Sequence, residues 1–122
     1  MRKHYGIEIE LMAPVAQPLQ AFVRKKGLFS FYEDGHGECC GIRKVEPLKR
    51  ALRGYRAWMT GQRRDQSPTR AAVLVLQEDA AFEGKAGQLL KWNPLANWSS
   101  ARVWEYIRSY GVPYNELHER GF

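Results

Sequence analysis

A chain of 122 residues, 44% hydrophobic and 26% charged, has the size and composition of one globular domain, which argues against disorder. No run approaches the ~20 apolar residues of a membrane helix, so no membrane partner is expected. Met1-Arg2-Lys3-His4 leads into alternating Ile and Glu rather than the apolar core of a signal peptide.

Residues 5–12 place Ile7, Ile9 and Leu11 on one face and Glu8 and Glu10 on the other, which predicts a strand with one apolar side. Pro18 opens a predicted helix carrying Leu19, Phe22 and Val23, stopped by Gly27. Leu28 to Tyr32 reads as a short strand and the Gly-rich stretch after it as a loop. Pro47 starts or kinks a second helix, with Leu48, Ala51, Leu52 and Tyr55 on one face and Gly54 at its end. Ala57 to Thr60 predicts a short buried strand, Ala71 to Leu76 a second, and Gln88 to Trp92 a third. Asn93-Pro94-Leu95 is a turn. Ser99 or Ser100 caps a final helix that turns Val103, Trp104, Ile107 and Tyr110 inward and closes at Gly111. This alternation predicts an α/β fold around a parallel sheet.

The charge is focused. Residues 43–70 carry nine basic groups and two acids, a local net of +7, which leaves the rest of the chain at −1. Twelve of the 19 basic residues are Arg, whose planar fork suits phosphate and sulfate oxygens. Such focus points to a polyanion or a small multi-anionic ligand; a solvated helix face plus a basic loop is the plain alternative. No helix-turn-helix, zinc-finger or RNP pattern accompanies it, so nucleic acid is not expected.

The two cysteines, Cys39 and Cys40, are adjacent, a poor pair for a structural disulfide because the ring between them is tiny and strained. They point to a reducing compartment, the cytoplasm, and to metal binding, redox chemistry or simple burial. Arg43 and Lys44 follow closely, and basic neighbours favour the thiolate that binds iron or zinc. A four-thiolate site needs two more cysteines, so the pair is at most half a site, completed from outside or by a His such as His36. The second signal is Gly61-Gln62-Arg63-Arg64-Asp65-Gln66-Ser67 with Arg70. It follows a predicted strand, the end at which open α/β sheets bind ligands.

The stretch from Asp34 through Cys39-Cys40 to Leu48, the Arg-rich stretch 61–67, Asn93-Pro94-Leu95, and Val112-Pro113-Tyr114-Asn115 with Leu117-His118 together resemble the assimilatory adenylyl-sulfate reductases. These belong to the wider family of adenylyl- and phosphoadenylyl-sulfate reductases. The resemblance covers nearly the whole chain. The paired cysteines are its most specific mark, since the phosphoadenylyl-sulfate branch generally lacks them.

The resemblance implies an adenine-nucleotide-hydrolase-like fold and reduction of adenylyl sulfate to sulfite and AMP, with thioredoxin as donor. It implies that Cys39 and Cys40 are the first two ligands of a [4Fe–4S] cluster. Lys44 would be the basic residue between cluster and sulfate, and Arg63, Arg64 and Arg70 would form the loop that clamps the phosphosulfate. A homo-oligomer is expected at full length. Three parts of the family pattern are missing: the Ser- and Gly-rich nucleotide loop after the first strand, the later Cys-x-x-Cys, and the catalytic Cys. Residues 1–122 are therefore expected to be the middle of a single domain, incomplete at both ends, with its nucleophile beyond Phe122. The rival expectation is a non-catalytic basic α/β module that binds nucleotide or RNA and unfolds cooperatively without iron.

Overall fold

The computed structural model describes residues 2–33, 35–84 and 87–121. Met1, Asp34 of the cysteine motif, and Phe122, where the chain was expected to be cut, lie outside the described residues. The elements are helices α1 (Arg2–Tyr5), α2 (Ala16–Lys26), α3 (Gly37–Cys40), α4 (Glu46–Leu52) and α5 (Ser100–Tyr110), with strands β1 (Ala57–Met59), β2 (Leu76–Glu78) and β3 (Leu90–Trp92).

The strands form one sheet in the order β1-β3-β2. Arg56 accepts from the Leu90 amide at 3.0 Å and Trp92 accepts from the Thr60 amide at 2.8 Å, so residue numbers rise together and β1 and β3 are parallel. Asp79 donates to Leu89 at 2.7 Å and Asn93 donates to Val75 at 2.7 Å, a register that runs in opposite senses. β2 and β3 are antiparallel. The sheet is therefore mixed, which corrects the expected parallel sheet.

Packing divides the chain into two compact units. One comprises Met1–Ile9, Met59–Gln77 and Lys91–Phe122; the other comprises Glu10–Trp58 and Glu78–Leu90. In the second unit Phe22, Cys39, Leu52 and Leu89 are buried, and the Trp58 indole donates to Asp79 at 2.9 Å while meeting Phe82 edge-on. In the first, Ala96 is buried and Asn93 fully so. Asn93 donates through Nδ2 to the Leu74 carbonyl at 2.8 Å and accepts from the Thr60 hydroxyl. The turn-forming Asn is thus the polar centre of its unit.

Helix α5 forms as its sequence predicts. Ser99 accepts from the Arg102 amide at 3.2 Å, and Gly111 closes the helix at φ 58°, a left-handed conformation that glycine adopts without a Cβ clash. Val103, Trp104 and Ile107 are half-buried, whereas Tyr110 is exposed. Helix α2 starts two residues before Pro18 and buries Phe22 as expected.

Other expectations fail for identifiable reasons. Residues 6–15 form no strand, and Ile7, Ile9 and Leu11 are exposed. Alternation defines a face, but among the described residues no strand pairs with this one. Ser30–Tyr32 is a 3₁₀ turn rather than a strand. Of residues 71–76 only Leu76 enters β2, because side chains take the hydrogen bonds a ladder would need. Arg64 Nε donates to the Val73 carbonyl at 2.7 Å, Asn93 takes the Leu74 carbonyl, and the Leu74 amide donates to Gln77 at 3.2 Å. Strand β1 stands where expected but is not buried, with Met59 64% exposed. Tyr55 lies past the end of α4 and is exposed.

Candidate functional site

The cysteine motif is helical, not a loop. Helices α3 and α4 are joined by a π-turn over Gly41–Val45, in which the Glu46 amide donates to the Gly41 carbonyl five residues back. Pro47 explains the widening. Its ring has no N–H to donate and would crowd the Arg43 carbonyl in a regular α-turn, so the helix opens to the longer repeat just before it.

The widened turn brings Cys39, Cys40, Arg43 and Lys44 to one pocket of about 310 Å³, completed by Phe31 and His36. Cys39 is buried and Cys40 half-buried, both as free thiols. The Phe31 and His36 rings stack at 6.0 Å. Lys26 holds the start of the helix through an ion pair with Glu38 at 2.8 Å, and Glu46 pairs with Arg50 at 2.6 Å one turn beyond the pocket. Arg43 Nε and Nη2 are buried and, among the described residues, have no hydrogen-bond partner. Buried donors are rarely left so, because desolvation without a partner is costly. Lys44 is exposed. A Cβ added at Gly37 or Gly41 would meet no atom within 4 Å. Among the described residues, no three or more His, Cys, Asp or Glu side chains are grouped to hold a metal ion.

The Arg-rich segment belongs to the other unit and forms two consecutive 3₁₀ turns, Arg64–Gln66 and Pro68–Arg70. Each of its arginines is held by a different kind of acceptor. Arg63 Nε pairs with the Asp65 carboxylate at 3.0 Å. Arg64 donates its side chain to Val73 and its backbone amide to the Ala96 carbonyl at 3.1 Å. Arg70 Nη1 donates to Gln66 Oε1 at 2.7 Å. Asp65 also accepts from the Ser100 amide at 2.5 Å, anchoring the loop to the first turn of α5.

The structure therefore gathers the predicted Cys39, Cys40 and Lys44 in one pocket and the predicted Arg63, Arg64 and Arg70 in one loop. The sequence places Arg43 close to the thiols and Asp65 and Gln66 within the Arg-rich stretch, but gives none of the three a role of its own. Arg43 lies four residues after Cys39, a helical spacing that only becomes informative once 37–45 is known to be helical. Three of the four Trp residues pack against ring or guanidinium neighbours. Trp58 and Trp104 are half-buried against aromatic neighbours, Trp98 lies under the Arg102 guanidinium at 4.6 Å, and Trp92 is a half-exposed strand residue.

The phosphoadenosine phosphosulfate reductase domain family matches residues 1–122. The chain is 61% identical over 126 residues to a protein of Oryza sativa subsp. japonica named a probable 5'-adenylylsulfate reductase, chloroplastic, covering 100% of this chain and 26% of that one. It is 59% identical over 123 residues to an adenosine 5'-phosphosulfate reductase of Pseudomonas aeruginosa, covering 100% of this chain and 46% of the relative. A crystal structure of phosphoadenylyl-sulfate reductase from Candida auris, in a phosphate complex, aligns with a TM-score of 0.57 at 32% identity, covering 97% of this chain and 49% of that one. The chain thus spans about half or less of the length of these relatives.

Proposed function

The chain belongs to the phosphoadenosine phosphosulfate reductase domain family, and from that premise we propose that it is the central portion of an adenylyl-sulfate reductase with an adenine-nucleotide-hydrolase-like α/β fold. The reaction is reduction of adenylyl sulfate to sulfite and AMP, with thioredoxin as the electron donor. The observation that carries the reading is the pocket in which two free thiols stand beside Arg43 and Lys44. The names of the Oryza and Pseudomonas relatives support the same substrate.

The residues present fit half of a [4Fe–4S] site. Cys39 and Cys40 would supply two thiolates, and four are needed, whereas the chain contains two cysteines. The Arg43 N–H groups, unpartnered among the described residues, suit the sulfur acceptors of such a group. When bound, the cluster would supply a fixed anionic face beside the sulfate. Lys44 would hold its ammonium between that face and the sulfate and offset negative charge that develops as AMP departs. Arg63, Arg64 and Arg70 form the loop read as the phosphosulfate clamp.

With both cysteines assigned to the metal, the nucleophile is a third cysteine outside these residues. Its thiolate attacks the sulfate sulfur, the bond from sulfur to the bridging phosphate oxygen breaks, and AMP leaves. A thioredoxin thiolate then attacks the enzyme sulfur and releases sulfite, leaving a mixed disulfide that the second thioredoxin thiol resolves. A reducing cytoplasm suits the free thiols, although the rice relative is named chloroplastic. A homo-oligomer is proposed for the complete protein.

The test starts from the uninterrupted reading frame around these codons. Its product should turn over labelled adenylyl sulfate with reduced thioredoxin and bind iron, and Cys39→Ser and Cys40→Ser should each lower the iron content. A frame without a third cysteine, or full iron content in the double variant, would overturn the reading. The 122-residue chain alone should release no sulfite to thioredoxin; a single turnover would count against it.

A further inference from the structure

Three arginines share one loop, yet their acceptors leave them electrostatically different. Arg63 is tied to a carboxylate, its side chain 16% exposed and that of Asp65 35%, so much of its charge is cancelled locally. Arg70 is tied to a neutral amide oxygen, and among the described residues it faces no carboxylate within ion-pair distance. Gln66 Oε1 also accepts from the Arg63 backbone amide at 3.1 Å, so one amide oxygen closes the first 3₁₀ turn and fixes a guanidinium four residues on. A neutral acceptor of this kind removes rotamer freedom from an arginine while leaving its charge and remaining N–H groups for an anion.

From this we infer that Gln66 is a positioning residue that aims Arg70 at the phosphosulfate. The inference rests on the adenylyl-sulfate reading and refines it. Glutamate at position 66 would hold the same guanidinium but cancel its charge. Alanine would keep the charge and lose the aim. The two substitutions therefore separate anion positioning from a purely structural role, because a structural role is rescued by glutamate.

The experiment is calorimetric titration of the product of the uninterrupted reading frame with adenylyl sulfate and, separately, with AMP, at fixed ionic strength. The proteins are wild type, Gln66→Ala, Gln66→Glu, Arg70→Gln and the double variant Gln66→Ala/Arg70→Gln. Losing a charge-assisted hydrogen bond should weaken adenylyl-sulfate binding roughly 10- to 100-fold in Arg70→Gln. Gln66→Ala and Gln66→Glu should each lose several-fold or more, and Gln66→Ala should cost nothing further once Arg70 is gone. NMR of the arginine side-chain nitrogens should show the Arg70 guanidinium ordered in wild type and Gln66→Glu, and mobile in Gln66→Ala. If wild type binds adenylyl sulfate while Gln66→Glu binds as wild type, or the two losses simply add, the positioning role is wrong and the substrate reading stands. If wild type shows no preference for adenylyl sulfate over AMP, both fall together.

Discussion

Replacing Asn93 by Ala should open one of the two units locally. The side chain is fully buried and satisfied at both ends, donating to Leu74 and accepting from Thr60. Truncation removes two hydrogen bonds, each with a net worth of about 1 kcal/mol, and leaves the part-buried Leu74 carbonyl and Thr60 hydroxyl to find other partners at a further cost of up to ~2 kcal/mol. A total of about 2–4 kcal/mol corresponds to a loss of amide protection of roughly 30- to 700-fold. Native-state hydrogen exchange reads this directly at the Thr60 amide, bonded to Trp92, the position-93 amide, bonded to Val75, and the Arg64 amide, bonded to Ala96. The Gly27 amide, bonded to Val23 at the end of α2, serves as reference. Asn93→Asp keeps the shape and the acceptor but loses the donor to Leu74, and should give a smaller, still measurable loss. If protection at the three reporter amides changes less than about threefold in Asn93→Ala, Asn93 is not the centre of that unit.

Gly84 makes a close backbone approach, since a Cβ there would lie 2.5 Å from the Tyr55 carbonyl oxygen and 2.7 Å from that of Gln88. Gly84→Ala should therefore cost about 1–3 kcal/mol, read as faster exchange of the Leu90 and Asp79 amides. Gly61→Ala, where a Cβ would meet nothing within 4 Å, should stay within ~0.5 kcal/mol of wild type; equal effects would refute the overlap. The Tyr114 hydroxyl donates to Glu119 at 2.5 Å, and that hydrogen bond, with the nearby negative charge, raises the Tyr114 pKa above its ordinary 10.0. The folded chain then holds the phenol proton more tightly than the unfolded chain. This stabilising contribution is full below pH ~10 and is lost as pH rises through the folded value. Glu119→Gln should return the Tyr114 midpoint toward that of an ordinary tyrosine, measured by NMR of ring-labelled tyrosine, and an unchanged midpoint would refute the assignment.

What could be read from the sequence was local or chemical. Helix α5 was legible because Ser99, the 103–104–107 spacing and Gly111 act within a few residues of one another. The end of α2 and the places of β1 and β3 were legible for the same reason. Adjacent cysteines, a lysine five residues after the first and a run of arginines are also local signals, which put forward soft-metal and anion binding as candidate chemistry without any fold. Hydrogen-bond partners remote in sequence decided the rest. The alternation of Ile7, Ile9 and Leu11 names a face but cannot supply a neighbouring strand. The β-prone stretch 71–75 is kept out of the sheet by Arg64, Asn93 and Gln77, two of them distant in sequence. Whether β2 runs with or against β3 depends on register, which no single strand encodes. The π-turn before Pro47 was latent in the proline, yet its consequence required the helix on both sides, because only then do Arg43 and Lys44 reach the pocket of Cys39 and Cys40. Sequence determined which chemical groups this protein has to use. Tertiary structure decided which of them keep their charge and their donors free, because the partners that neutralise or aim a side chain are chosen by the fold.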